Sequence, residues 1–107
     1  MVILLNAFSL SMLERATHVL SVMPISIKEA RGLVKDAAVI SYVGHPDTAF
    51  IISEELGIVV PVNREKYLLK SDDVVIVAQY DGPRLPEGAK TLPEGAKISY
   101  WKIKTTA

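Results

Sequence analysis

The side chains in this sequence best suited to acid–base and charge-stabilising chemistry are His45, Arg84, Glu87, Asn6 and Ser9. His45 stands in Gly44-His45-Pro46-Asp47-Thr48, and Arg84 and Glu87 share the stretch Arg84-Leu85-Pro86-Glu87-Gly88. Asn6 and Ser9 follow the first apolar run, in Asn6-Ala7-Phe8-Ser9. An imidazole moves protons near neutral pH, and a guanidinium grips phosphate oxygens in a fork. A carboxylate can orient that fork or accept a proton. Gathered together, these groups suit phosphodiester chemistry by acid catalysis and charge stabilisation. They are not a metal set, because cysteine is absent and His18 and His45 are the only histidines.

The position of His45 sharpens this. Ala38–Val43 is β-branched and almost wholly apolar, as in a buried strand. Pro46 suits the first helical position, where a missing N–H costs nothing, so His45 falls at the N-cap of a helix Pro46–Leu56 that stops at Gly57. Free amides and the positive end of the helix dipole converge beside the imidazole, as at anion sites. The plainer alternative is a histidine that only caps the helix, and Gly-His-Pro alone does not decide between them.

The remaining elements must bring the distant residues together. Val2–Ala7 reads as a central strand, with Ser9 or Ser11 capping a short turn over Met12–Arg15. Thr17–Met23 alternates as a half-buried strand that Pro24 breaks, and His18 there reads as a surface or cross-strand residue. Ser26-Ile27-Lys28-Glu29 is a capping box opening a helix Ile27–Asp36. Lys28, Arg31 and Lys35 form a basic stripe on that helix, read as a solvated face. Short strands are expected at Ile58–Val62, with Pro61 marking an edge or bend, and at Lys66–Lys70. Val74–Tyr80 is the best central strand, and Lys97–Ile103 the last, with Tyr100 and Trp101 on opposite faces. Leu85–Lys90 recurs as Leu92–Lys97, which reads as two similar turns around an extended piece. If the strands before His45 and Arg84 run the same way, both loops open on one rim, where α/β proteins bind ligands.

Composition limits the alternatives. A chain of 107 residues makes one domain that needs no disulfides. Half its residues are hydrophobic, yet no apolar run nears the ~18 residues of a membrane span. The excess fits a buried sheet plus a subunit interface, hence a homodimer, with Phe50, Ile51 and their helix as candidate contacts. Twelve basic and twelve acidic residues balance, unlike the net positive charge of duplex-DNA binders. The N-terminus lacks the charged n-region and cleavage site of a signal peptide, so a cytoplasmic location is expected, with no membrane partner. The expected fold is α/β, a single domain over 1–107 with a mixed sheet of about five strands flanked by helices.

The joint pattern Leu5-Asn6-Ala7-Phe8-Ser9, Gly44-His45, Leu56-Gly57, Asn63-Arg64 and Arg84-Leu85-Pro86-Glu87-Gly88 resembles the viral-type ring nucleases. These are type III anti-CRISPR proteins, with cellular relatives beside CRISPR systems. The resemblance spans nearly the whole chain. It implies a homodimer that binds cyclic tetra-adenylate across its interface and cleaves it without metal or other cofactor. The family's catalytic histidine falls on His45, and its arginine and glutamate on Arg84 and Glu87. Ligand contacts fall on Asn6 and Ser9, on Gly44 and Thr48 beside His45, and on Gln79. Arg64 is a further phosphate contact or the partner of Glu65 or Glu87 in a salt bridge.

Two rivals follow from the same residues. One is a binding module that sequesters the cyclic nucleotide uncut. The other is a nucleic-acid-binding regulator using the Lys28/Arg31/Lys35 stripe, which the neutral net charge disfavours.

Overall fold

Val2–Leu5 (β1) is apolar throughout because it lies inside the sheet, with Leu4 and Leu5 fully buried on opposite faces. The computed structural model describes residues 1–15 and 18–106. A 3-10 turn spans Leu10–Met12, followed by β2 (Leu20–Ile25), α1 (Ile27–Val34), β3 (Val39–Ser41), α2 (Pro46–Leu56), β4 (Val74–Asp81) and β5 (Lys97–Thr105). The sheet order is β2-β5-β4-β1-β3. β1 pairs parallel with both β3 and β4, so that Ile3 aligns with Ile40 on one side and Val75 on the other. β5 is antiparallel to β4 and to β2. The strands β1, β3 and β4 therefore end on one rim, and the chain segments after them, at 6–9, 42–46 and 82–88, emerge there.

Both helices cover one face. Ala30 and Val34 of α1 and Ala49, Ile52 and Leu56 of α2 pack on Leu4, Ile76, Ala78 and Tyr100. Among the described residues the other face carries no α-helix. Tyr67 and Leu69 are buried there against Ile3, Leu5, Val75, Val77 and Ile103, with Phe8, Met12 and Leu13 alongside. The expectation of helices flanking the sheet thus holds for one side only.

Seven stretches of the sequence have strand character, and five become strands. Lys66–Lys70 is not one of them. It buries Tyr67 and Leu69 and exposes Leu68, a period-two pattern arising because the segment lies across the sheet face instead of pairing with it. Ile58–Val62 yields a single bridge, Val62 with Val43. It covers the outer edge of β3, where Ser41 Oγ donates to the Pro61 carbonyl at 2.7 Å and Asn63 Nδ2 donates to the Ser41 carbonyl at 3.0 Å. Pro24 does not break β2 but lies within it, opposite Trp101, as an edge strand permits. Thr17 lies outside the described residues. His18 precedes β2, half-buried, with Nε2 unpartnered.

Local chemistry explains the helix ends. Ser26 Oγ accepts from the Glu29 amide while Glu29 Oε1 accepts from that of Ser26, the expected capping box. The helix stops at Val34, short of the expected Asp36, because Asp36 turns left-handed at φ 58°. Arg31, within the basic stripe, donates through Nε to the Glu55 carbonyl at 2.6 Å, near the end of α2. Tyr100 Oη donates to Glu55 Oε1 at 2.6 Å, joining β5 to the same place. Ile51 is 3% exposed and belongs to the core, whereas Phe50 is 43% exposed. Among the described residues no helix is long and apolar enough to cross a membrane.

Candidate active site at the carboxyl rim of the sheet

The loops after β3 and β4 face one another across a cleft of about 880 Å³ lined by His45, Pro46, Asp47, Arg84, Leu85, Pro86, Glu87 and Gly88. His45, Arg84 and Glu87, selected from stretches about forty residues apart, therefore share one cavity. Its volume is in the range of small-ligand sites.

Each side chain is held by its own element. His45 is the N-cap residue of α2 and Pro46 opens the helix, yet the imidazole makes no capping hydrogen bond. The plain capping role is thus not what this side chain does, and the exposed ring is left to the cleft. Backbone amides of the first helical turn lie beside it, where an anion is favoured by the dipole. Before it, the Gly44 carbonyl accepts from Arg64 Nε at 3.0 Å. Arg64 holds the backbone entering the site and lies outside the lining of the cleft within one chain. A Cβ on Gly44 would sit 3.4 Å from Arg64 Cγ, in ordinary contact.

Arg84 and Glu87 ride on a tight turn. The Ala89 amide donates to the Pro86 carbonyl at 3.0 Å, with Gly88 at φ 78°, the geometry of a type II turn that requires a left-handed third residue. The second copy of the hexapeptide folds the same way, with Ala96 N to Pro93 O at 3.0 Å and Gly95 at φ 79°. At the base of this loop, a Cβ on Gly82 would lie 2.7 Å from that of Ala96, so only glycine lets the two ends close. Tyr80 Oη also donates to the Pro83 carbonyl.

The remaining expected contacts divide. Thr48, 7% exposed, lines a side recess with His45, Tyr80, Gly82, Arg84 and Leu85. Asn6 is half-buried at the end of β1, on the same rim but outside the lining of the cleft. Ser9 caps the 3-10 turn, its Oγ accepting from the Ser11 amide at 3.2 Å. Gln79 lies on the face away from the helices, in a hollow with Phe8, Val22, Val77, Trp101 and Ile103. Within one chain it does not line the cleft. Among the described residues, no three His, Asp or Glu side chains come close enough to share a metal ion.

Sequence reasoning missed Asp47. Its Oδ2 accepts from the Gly88 amide at 3.1 Å, joining α2 to the Arg84–Gly88 turn. An acidic residue in a first helical turn is ordinarily explained by the dipole alone, so nothing in the sequence pointed across to residue 88.

The fold and site together define a small α/β protein with a mixed five-stranded sheet and, at its parallel-strand rim, a cleft that carries an imidazole, a guanidinium and two carboxylates. The chain belongs to the STIV B116-like family, whose model matches residues 2–102. It is similar to uncharacterised protein 26 of Sulfolobus islandicus filamentous virus (isolate Iceland/Hveragerdi), 29% identical over 102 residues, covering 94% of this chain and 86% of that protein. Its fold is that of B116 of Sulfolobus turreted icosahedral virus, with a TM-score of 0.80 and 22% identity over 96% of this chain and 97% of that one.

Proposed function

We propose that this protein is a ring nuclease, a metal-independent phosphodiesterase that binds cyclic tetra-adenylate between two copies of the chain and cleaves it, switching off type III CRISPR signalling. The observation that carries the reading is the shared cleft: an uncommitted imidazole, a guanidinium and a carboxylate from separate loops line one cavity.

The chemistry needs no activated water. In a cyclic oligoadenylate each 2′-hydroxyl lies beside its own 3′-phosphate. Held in line, that oxygen attacks phosphorus and the neighbouring 5′-oxygen leaves, giving a 2′,3′-cyclic phosphate. His45 donates a proton to the leaving oxygen, an acid contribution worth ~10²–10⁴-fold. Arg84 neutralises the non-bridging oxygens through charge-assisted bonds, aided by the first-turn amides of α2. Glu87 accepts the 2′-hydroxyl proton, or orients Arg84 while solvent takes that proton. In a two-fold homodimer the cleft occurs twice, so the ring is cut into two linear di-adenylates.

Radiolabelled cyclic tetra-adenylate incubated with the protein in EDTA and resolved by thin-layer chromatography tests this. Di-adenylate ending in cyclic phosphate is expected. A ring that is retained but intact would instead make the protein a sequestering module. A ring neither bound nor cut would end the proposal.

A further inference from the structure

Resting on that reading, we propose that Asp47 is a positioning residue for the candidate site: its carboxylate, fixed on the first turn of α2, holds the Gly88 amide so that Arg84 and Glu87 stay opposite His45. Three observations carry this.

The bond joins residues 41 apart in sequence, Gly88 N to Asp47 Oδ2 at 3.1 Å, and both line the cleft. Among the described residues it is the side-chain hydrogen bond linking the Arg84–Gly88 turn to α2. The turn has little else to fix it, since Arg84, Pro86, Glu87 and Gly88 are all exposed. Asp47 is half-buried, and it stands next to His45 and the rigid Pro46, so whatever it holds is held relative to the imidazole.

The duplicated hexapeptide supplies an internal control. Leu85–Lys90 and Leu92–Lys97 are identical in sequence and fold into the same turn, with Gly88 at φ 78° and Gly95 at φ 79°. Only the first has the Asp47 carboxylate against its glycine amide. The shape of the turn is therefore encoded locally, by Pro-Glu-Gly, and does not need Asp47. What Asp47 supplies is the turn's place. Its loss should free the turn without unfolding it.

Amide spectra of the isotope-labelled full chain and single-turnover cleavage of cyclic tetra-adenylate test this on wild type, Asp47→Ala and Asp47→Asn. In Asp47→Ala the Gly88 amide resonance is expected to move and its hydrogen exchange to quicken, while Gly95 stays in place. The cleavage step is expected to slow about tenfold, the lower end of what a hydrogen bond to a charged group contributes. Ring affinity should change by less than about threefold, because the phosphate-binding groups remain. Asp47→Asn keeps a carbonyl acceptor and should stay within about threefold of wild type. An unmoved Gly88 resonance in Asp47→Ala would overturn the proposal. So would equal loss of rate in both variants, which would assign the carboxylate's charge a role of its own. If the wild-type chain leaves the ring intact, the functional reading falls, and the Gly88–Gly95 comparison still decides whether Asp47 holds the turn.

Discussion

Arg64 donates through Nε to the carbonyl of Gly44 at 3.0 Å, so a residue from the segment covering β3 fixes the backbone immediately ahead of His45. The bond uses the inner nitrogen of the guanidinium and leaves the terminal ones for a ligand. Within one chain Arg64 lies outside the lining of the cleft, and under the proposed function it both steadies the backbone before His45 and contacts a phosphate.

A point charge cannot do both. Arg64→Lys is expected to weaken binding of cyclic tetra-adenylate about tenfold, and Arg64→Ala somewhat more, because lysine has no planar fork to divide between a carbonyl and an anion. Calorimetric titration with a cleavage-deficient background measures this. Full affinity in Arg64→Lys would show that the Gly44 bond is merely structural.

The Tyr100 phenol is buried against Glu55 and is raised above the ordinary tyrosine range by desolvation, then by the hydrogen bond it donates to Glu55. Tyr67 is raised in the same way, by burial and by Asp73, whose Oδ2 accepts its hydroxyl at 2.7 Å. Both pKa values are higher folded than unfolded. Stability from this source is therefore complete below about pH 10 and declines above it, as the unfolded chain begins to lose these protons first. Urea melts across pH 8–11 should show that decline. Tyr100→Phe should flatten part of it and cost about 1 kcal/mol at neutral pH, since Glu55 loses its donor.

Asp36 adopts φ 58° just beyond the last turn of α1, where glycine is preferred and a negative charge opposes the helix dipole. Asp36→Gly should stabilise the fold by about 0.5 kcal/mol, and Asp36→Ala should destabilise it by a similar amount. The shift in urea midpoint separates the two, and equal effects would contradict the left-handed assignment.

Local signals in the sequence settle the helix ends. Pro46 and Gly57 bound α2 at Pro46–Leu56, and Ser26 with Glu29 caps α1. The common rim is legible because Ala38–Val43 and Val74–Tyr80 are nearly continuous apolar runs with a helix between them, and strands so joined run parallel, although β3 lies at the sheet edge and only β4 is an inner strand. What failed was the step from alternation to pairing. Tyr67 and Leu69 alternate with exposed neighbours as in a strand, but their burial comes from lying on the sheet. Pro24 looked like a break because its edge position depends on the whole sheet order. Gln79 shares the face of Val77, away from the cleft, and this follows from which side the helices take, a property no short motif records. Asp47 was invisible for the same reason: its partner is 41 residues away in sequence.

His45 is the residue on which the proposed chemistry turns, and single-turnover cleavage of labelled cyclic tetra-adenylate in EDTA by His45→Ala tests it most directly. The variant is expected to bind the ring as wild type does and to cleave it at least ~10²-fold more slowly, as loss of a general acid demands. Cleavage by His45→Ala at the wild-type rate would contradict the assignment.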